Sequence, residues 1–382
     1  MYRPAARCLV MVLAALAAAP AFALDAPAAA SATRSAAVVI PAPSQVSEIP
    51  PAMREMLRTQ VISRGFSREQ RLQGLVEMIF DRHGLDLQYD ADATLTVAEI
   101  WQQRRANCLA FTLMFVALAR EAGIQARVQE VGQVVSWYQD QDQDQGFVYS
   151  VGHVNAGVGF GGRFATVDLD RNVLYDRRGP QPISASRALA HFYNNRGAER
   201  MASGDLEGAR AFFNAALAQD NTFAATWNNL GVLENRSGDT AAARRALEVA
   251  LHLDGRQDAA LSNVSALYRR LGMVVQAQAL EQRLRSVQRE DPFAQYMFGA
   301  QAERAGRLDD AIRYYRQAVR LYETAHQFHF GLARVYFLSG QLGRADRELL
   351  RAQELGGAQQ QARYQAKLDS LARWRAQQQV RR

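Results

Sequence analysis

The sequence predicts an α+β domain followed by an all-α solenoid of paired helices. Two observations carry this expectation. In the second half, glycine recurs every 34 residues at Gly204, Gly238, Gly272, Gly306 and Gly340, and alanine keeps the same period at Ala209, Ala243, Ala277, Ala311 and Ala345. In the first half, an apolar helical run that opens at Cys108 is followed by strand-like segments bearing His153 and Asp168. A chain of 382 residues has room for two such domains.

Arg3 and Arg7 lead an apolar stretch, Cys8 to Ala19, and Ala21-Phe22-Ala23 has the small-x-small form of a cleavage site. Residues 1–23 therefore read as a secretory signal. The stretch is shorter than the ~20 residues a spanning helix needs, so no stable membrane insertion is expected after cleavage. The expected location is the bacterial periplasm or the medium. Cleavage removes Cys8 and leaves Cys108 alone, which rules out an internal disulfide. Residues 24–50, rich in Ala, Pro and Ser, read as a disordered linker.

The α+β domain is expected over residues 51–189. Its first clear helix starts with the capping box Ser67-Arg68-Glu69-Gln70 ahead of Leu72, Leu75, Val76, Ile79 and Phe80. A short helix is expected from Val97 to Arg104, and the Cys108 helix should stop at Gly123. Strands are expected over Ala126 to Val135, Phe147 to Val158 and Arg163 to Leu169. The Gln/Asp run from Gln139 to Gln145 reads either as a lid over a cleft or as a solvated excursion.

The second half divides into five units, 190–223, 224–257, 258–291, 292–325 and 326–359. A third column is Gly197, Gly231, Ser265, Gly299 and Ala333; a fourth is Ala216, Ala250, Leu284, Ala318 and Ala352. A 34-residue period with small residues at these offsets resembles the tetratricopeptide repeat. The glycine turns the chain between antiparallel helices, and the small residues let each pair approach. The third unit is the most degenerate, with Ser265, Glu281 and Leu284 off pattern. Residues 360–382 read as a capping helix, Ala362 to Arg375, and a tail.

The formal charge of +7 is an arginine surplus, Lys367 being the only lysine. Acidic and basic residues are interleaved, which argues against a nucleic-acid surface. Four of the histidines, His191, His252, His326 and His329, are scattered with no cysteine near them, so no metal site and no cofactor is expected.

The chemistry gathers on two strands. His153 and Asn155 share one strand face, and Thr166, Asp168 and Asp170 share one on the next. If the turn Gly159-Phe160-Gly161-Gly162 centres on Phe160-Gly161, His153 faces Asp168; if it centres on Gly161-Gly162, His153 faces Asp170 and Asp168 is a diagonal neighbour. Either way a carboxylate reaches the imidazole, because cross-strand partners lie ~5 Å apart and diagonals are within side-chain reach. A cysteine at a helix N-terminus beside an imidazole is the setting in which a thiol ionises.

Ala106-Asn107-Cys108-Leu109-Ala110-Phe111, followed by Ala117 to Ala122 and Gly123-Ile124-Gln125-Ala126-Arg127-Val128, resembles the core of the transglutaminase-like cysteine enzymes. The His153-to-Asp168 hairpin with Gly161-Gly162-Arg163 at its turn is similar to the family's as well; the likeness spans residues 95 to 172. It implies a papain/transglutaminase-like fold with Cys108 as nucleophile, His153 as general base and acid, and Asp168 as orienter. The family spacing favours Asp168 over Asp170. Ala106 stands where the family usually has glycine, and Asn155-Ala156-Gly157 where it often has an aromatic residue and then Asn-Glu. The classical transglutaminase oxyanion tryptophan has no secure counterpart; Gln102, six residues before Cys108, has a spacing that suits a papain-like oxyanion glutamine, and the Cys108 main-chain N–H is the safer candidate donor. The expected function is an exported cysteine peptidase or amidase whose repeats bind a protein or peptide, with a cell-envelope substrate in view. Hydrolysis and amine crosslinking stay open. The alternative is an inert domain on a protein-interaction scaffold.

Overall fold

The computed structural model describes residues 38–64, 67–131, 153–160, 163–169 and 179–356, with a few helical residues between 362 and 373. The signal segment, the Gln/Asp run and Asp170 lie outside the described residues.

The span expected to be a linker contains helical structure. Helices α1 (Pro43–Val46) and α2 (Pro51–Leu57) are followed by a π-helical turn, Arg58–Ile62. Val46, Ile49, Met53, Leu57 and Val61 are all buried, so residues from Val38 to Pro50 are not the disordered spacer their composition suggested. The spacing of those five apolar residues, three and then four apart, is helical and was masked by the surrounding Ala and Pro.

Helix α3 (Arg68–Phe80) keeps its capping box: Ser67 Oγ accepts from the Gln70 N–H, and Gln70 Oε1 accepts from the Ser67 N–H. Strand β1 (Gln88–Tyr89), helix α4 (Val97–Gln103) and strand β2 (Arg105–Ala106) follow. The two short strands pair in parallel, and Arg104 between them adopts φ 57°. Helix α5 (Cys108–Glu121) is buried nearly all round, with Phe111, Met114, Phe115 and Leu118 at zero exposure. A helix apolar on every side is an internal one, and α5 is the centre of the domain. Gly123, φ 73°, ends it where the sequence placed the stop.

Strands β3 (Ala126–Val131), β4 (His153–Phe160), β5 (Arg163–Val167) and β6 (Gln181–Pro182) form an antiparallel sheet in the order β5-β4-β3-β6. Val154, Ala156 and Val158 are buried, and α5 packs against β4 and β3.

Five helix pairs follow: α6 (Ala185–Ala202) with α7 (Leu206–Gln219), α8 (Ala224–Arg236) with α9 (Thr240–Leu253), α10 (Asp258–Arg270) with α11 (Val274–Glu290), α12 (Pro292–Arg304) with α13 (Leu308–Leu321), and α14 (His326–Leu338) with α15 (Leu342–Leu355). The boundary at residue 190 falls inside α6, which begins five residues earlier. The five periodic glycines all take φ between 72° and 86°, the left-handed region an L side chain rarely adopts. The small column of each first helix meets a large residue of the second: a Cβ on Gly197 would sit 2.5 Å from Phe213, one on Gly231 2.5 Å from Leu247, and one on Gly299 2.7 Å from Tyr315. In the degenerate third unit, Ser265 Oγ instead lies 3.3 Å from the Ala277 carbonyl and 3.2 Å from Glu281 Oε1, two acceptors within reach of its one proton, and the Glu281 carboxylate also pairs with Arg269. Two of the off-pattern residues, Ser265 and Glu281, therefore form a matched polar pair, while Leu284 packs against the apolar core. Buried asparagines tie the first three units together: Asn229 donates to Asn194 at 3.0 Å, and Asn263 donates to Asn228 at 2.8 Å. Tyr364, from the tail, packs against Ala333, Leu349 and Ala352 of the last unit.

Asp258 opens α10, and burial with the nearby charge of Asp291 pushes its carboxyl up to about 6. An acid raised on folding binds its proton more tightly in the folded state. Its contribution to stability is greatest below its ordinary value of 3.8 and is lost as pH rises through about 6. Asp258→Asn is expected to flatten thermal stability between pH 4 and 6 and to raise Tm at pH 7; a variant profile parallel to the wild type would contradict this.

Candidate active site

The first helix turn is built before any chemistry. Asn107 is the N-cap of α5; its Oδ1 accepts from the Ala110 N–H at 2.9 Å, and its Nδ2 donates to Thr94 Oγ1 at 2.7 Å. This cap places Cys108 at the first helical position, where main-chain N–H groups have no partner inside the helix and the dipole favours a thiolate. Cys108 is partly exposed while its neighbours Asn107, Leu109 and Ala110 are buried. One turn on, Thr112 Oγ1 donates to the Val154 carbonyl at 3.4 Å. The thiol-bearing end of α5 is thus tied to the end of β4 that carries His153.

The ladder of β4 and β5 pairs Ala156 with Val167 and Phe160 with Arg163. That register centres the turn on Gly161-Gly162, the second of the two arrangements the sequence allowed. Continued one step past the ladder, it sets Asn155 opposite Asp168 and leaves Asp168 diagonal to His153. The diagonal contact is made: His153 Nε2 lies 2.8 Å from Asp168 Oδ2, both side chains being about nine-tenths buried. Asn155 Nδ2 donates to the same carboxylate oxygen at 3.3 Å. The sequence placed Asn155 on the His153 face but gave it no part; the structure makes it a second partner of the Asp168 carboxylate. An ionised carboxylate only accepts, so the proton between the two side chains sits on Nε2, and Nδ1 is the ring nitrogen outside the couple.

Gln102, the side-chain oxyanion candidate, sits in the last turn of α4 and is exposed. Between it and Cys108 the chain passes through the left-handed Arg104, whose guanidinium lies over the Trp101 ring at 4.2 Å. Among the described residues, no group of three or more His, Cys, Asp or Glu side chains could hold a metal ion, and no helix is long and apolar enough to cross a membrane.

A capped cysteine helix packed on an antiparallel sheet that bears a His–Asp couple is the papain-like arrangement of the α+β class. Residues 57–169 match the transglutaminase-like superfamily, and this part of the chain is a transglutaminase-like domain followed by tetratricopeptide-type helix pairs. No curated protein matches the chain significantly. Similar solved structures include YrrB, a TPR protein with an unusual peptide-binding site, at 20% identity over 47% of this chain and 92% of that one, TM-score 0.26. Another is MamA from Desulfovibrio magneticus RS-1, at 17% identity over 44% and 94%, TM-score 0.25. The repeats are defined by the chain's own 34-residue helix pairs and their positive-φ glycines.

Proposed function

We propose that the transglutaminase-like domain is a cysteine acyl-transfer enzyme, hydrolysing amide bonds in a protein or peptide held by the repeats. The observation that carries the reading is the His153–Asp168 couple, 2.8 Å long, on the strand tied to the capped Cys108 helix. Cys108 Sγ, as thiolate, attacks the carbonyl carbon, and the carbonyl π electrons move to oxygen. The Cys108 N–H and Gln102 are the candidate donors to that oxyanion. His153, protonated by the thiol, returns the proton from Nδ1 to the departing amine as the C–N bond breaks, leaving a thioester. His153 then takes a proton from water, the hydroxide adds to the thioester, and Cys108 leaves as thiolate with the acid released. Asp168 holds the imidazole orientation throughout, and Asn155 holds Asp168. An amine in place of water gives a crosslink from the same thioester.

Export through the amino-terminal signal would put this chemistry in the cell envelope. The repeats suit an acidic protein segment. One cleft of α11, α12 and α13 is lined by Arg285, Arg289, Arg313 and Arg320, of which Arg285 and Arg313 already pair with Glu281 and Asp310; the next, of α13, α14 and α15, is lined by Arg316, Arg344 and Arg347 with Glu348.

The test is to offer the mature protein a panel of peptide amides and esters and weigh the intact enzyme after rapid acid quench. A mass increase equal to the acyl group, located at Cys108 and absent in Cys108→Ala, is the expected result. Partner capture by the repeats with no adduct on any substrate class would favour the inert scaffold.

A further inference from the structure

The N-cap of the nucleophile helix leads out of the transglutaminase-like domain. Asn107 Nδ2 donates to Thr94 Oγ1 at 2.7 Å, and Thr94 has zero exposure. A hydroxyl has a single proton to give. Glu199, on α6, accepts from the Thr94 main-chain N–H at 3.1 Å, and the Thr94 hydroxyl beside it also favours the ionised carboxylate. The relay therefore has a direction: Asn107 amide to Thr94 hydroxyl to Glu199 carboxylate. It fixes which end of the Asn107 amide faces Thr94, and so leaves Oδ1 for the Ala110 N–H. Glu199 belongs to the first repeat helix, 105 residues from Thr94 in sequence. The same helix grips the domain elsewhere: Arg196 donates to both oxygens of Glu99 at 2.7 and 3.0 Å, and Tyr193 donates to the Pro41 carbonyl at 2.8 Å.

We infer that Glu199 is a positioning residue for the Cys108 thiol, acting through Thr94 and Asn107, so that the first repeat helix completes the site. The inference rests on the catalytic reading of Cys108. Burial is the main cause that pushes the Glu199 carboxyl up to about 7, helped by Asp92 and opposed by the Thr94 bonds and by Arg196, whose own partner is Glu99. A solenoid that shifts α6 on binding a partner would act on the nucleophile through this path.

The experiment compares full-length Glu199→Ala, Glu199→Gln, Thr94→Val and Thr94→Ser with the wild type. The readouts are the pH profile of Cys108 alkylation and hydrogen exchange at the Ala110 amide. Glu199→Ala and Thr94→Val are expected to slow alkylation at pH 7 about five-fold, the equilibrium worth of one helix cap. They should also raise the apparent thiol pKa and speed Ala110 exchange. Glu199→Gln and Thr94→Ser, which keep the acceptor and the hydroxyl, are expected to restore both readouts. Thr94→Val is nearly isosteric and guards against a folding defect. Wild-type exchange at Ala110 in Thr94→Val, or Glu199→Gln behaving as Glu199→Ala, would overturn the relay. An ordinary wild-type thiol beside altered Ala110 exchange would instead sink the catalytic reading and leave the relay standing.

Discussion

Replacing His153 by alanine is expected to lower turnover of any amide the domain accepts by about 10²–10⁴-fold, the share a positioned acid–base group commonly supplies. Two steps of the proposed reaction need this side chain. The thiol must lose its proton before attack, and the leaving amine must gain one. The couple with Asp168 at 2.8 Å, at sites about nine-tenths buried, means that the imidazole is held rather than found by diffusion. Ester substrates separate the two roles. Their leaving group departs with less help from an acid, so the variant should lose less on an ester than on the matched amide. Equal losses on both would place the whole effect in thiolate formation, and no loss on either would remove His153 from the mechanism.

Phe213→Ala is expected to destabilise the repeats by about 3–5 kcal/mol, the range for deleting a buried aromatic side chain. Phe213 has zero exposure and belongs to a cluster with Met201, Val232, Leu233 and Leu247 that joins the first two units. The glycine opposite it is as demanding from the other side, since a methyl on Gly197 would press on the ring at 2.5 Å. Overpacking of that kind costs about 1–3 kcal/mol, so Gly197→Ala should be the milder of the two. Chemical denaturation followed by helix content gives both values. A Phe213→Ala loss below about 1 kcal/mol would mean that the ring is not the filler its burial implies.

The repeat was legible because each column is a steric demand. Gly204 and its periodic partners turn the chain at positive φ, and Gly197, Gly231 and Gly299 leave room for Phe213, Leu247 and Tyr315. Such demands recur wherever the helix pair recurs. The third unit reads as degenerate only to an apolar template, since Ser265 and Glu281 replace a packing contact with a hydrogen bond. In the domain, the order Cys108, His153, Asp168 and the faces of both strands were readable from alternation. The register was not, because a glycine pair permits either turn centre; the Ala156–Val167 pairing selects the diagonal carboxylate. The reach of Thr94 to Glu199 spans 105 residues and leaves no local signal. Helices α1 and α2 were a different miss, since their apolar spacing was present in the sequence and the composition around it hid it.

The proposed chemistry requires a thiolate at Cys108 supported by His153. The most direct test is the rate of Cys108 alkylation against pH in the mature wild type and in His153→Ala. An unassisted thiol titrates near ~8.5. The wild type is expected to titrate well below that value, and His153→Ala to return to it. A wild-type thiol that titrates as an ordinary cysteine, unchanged by loss of the imidazole, would contradict the enzyme reading.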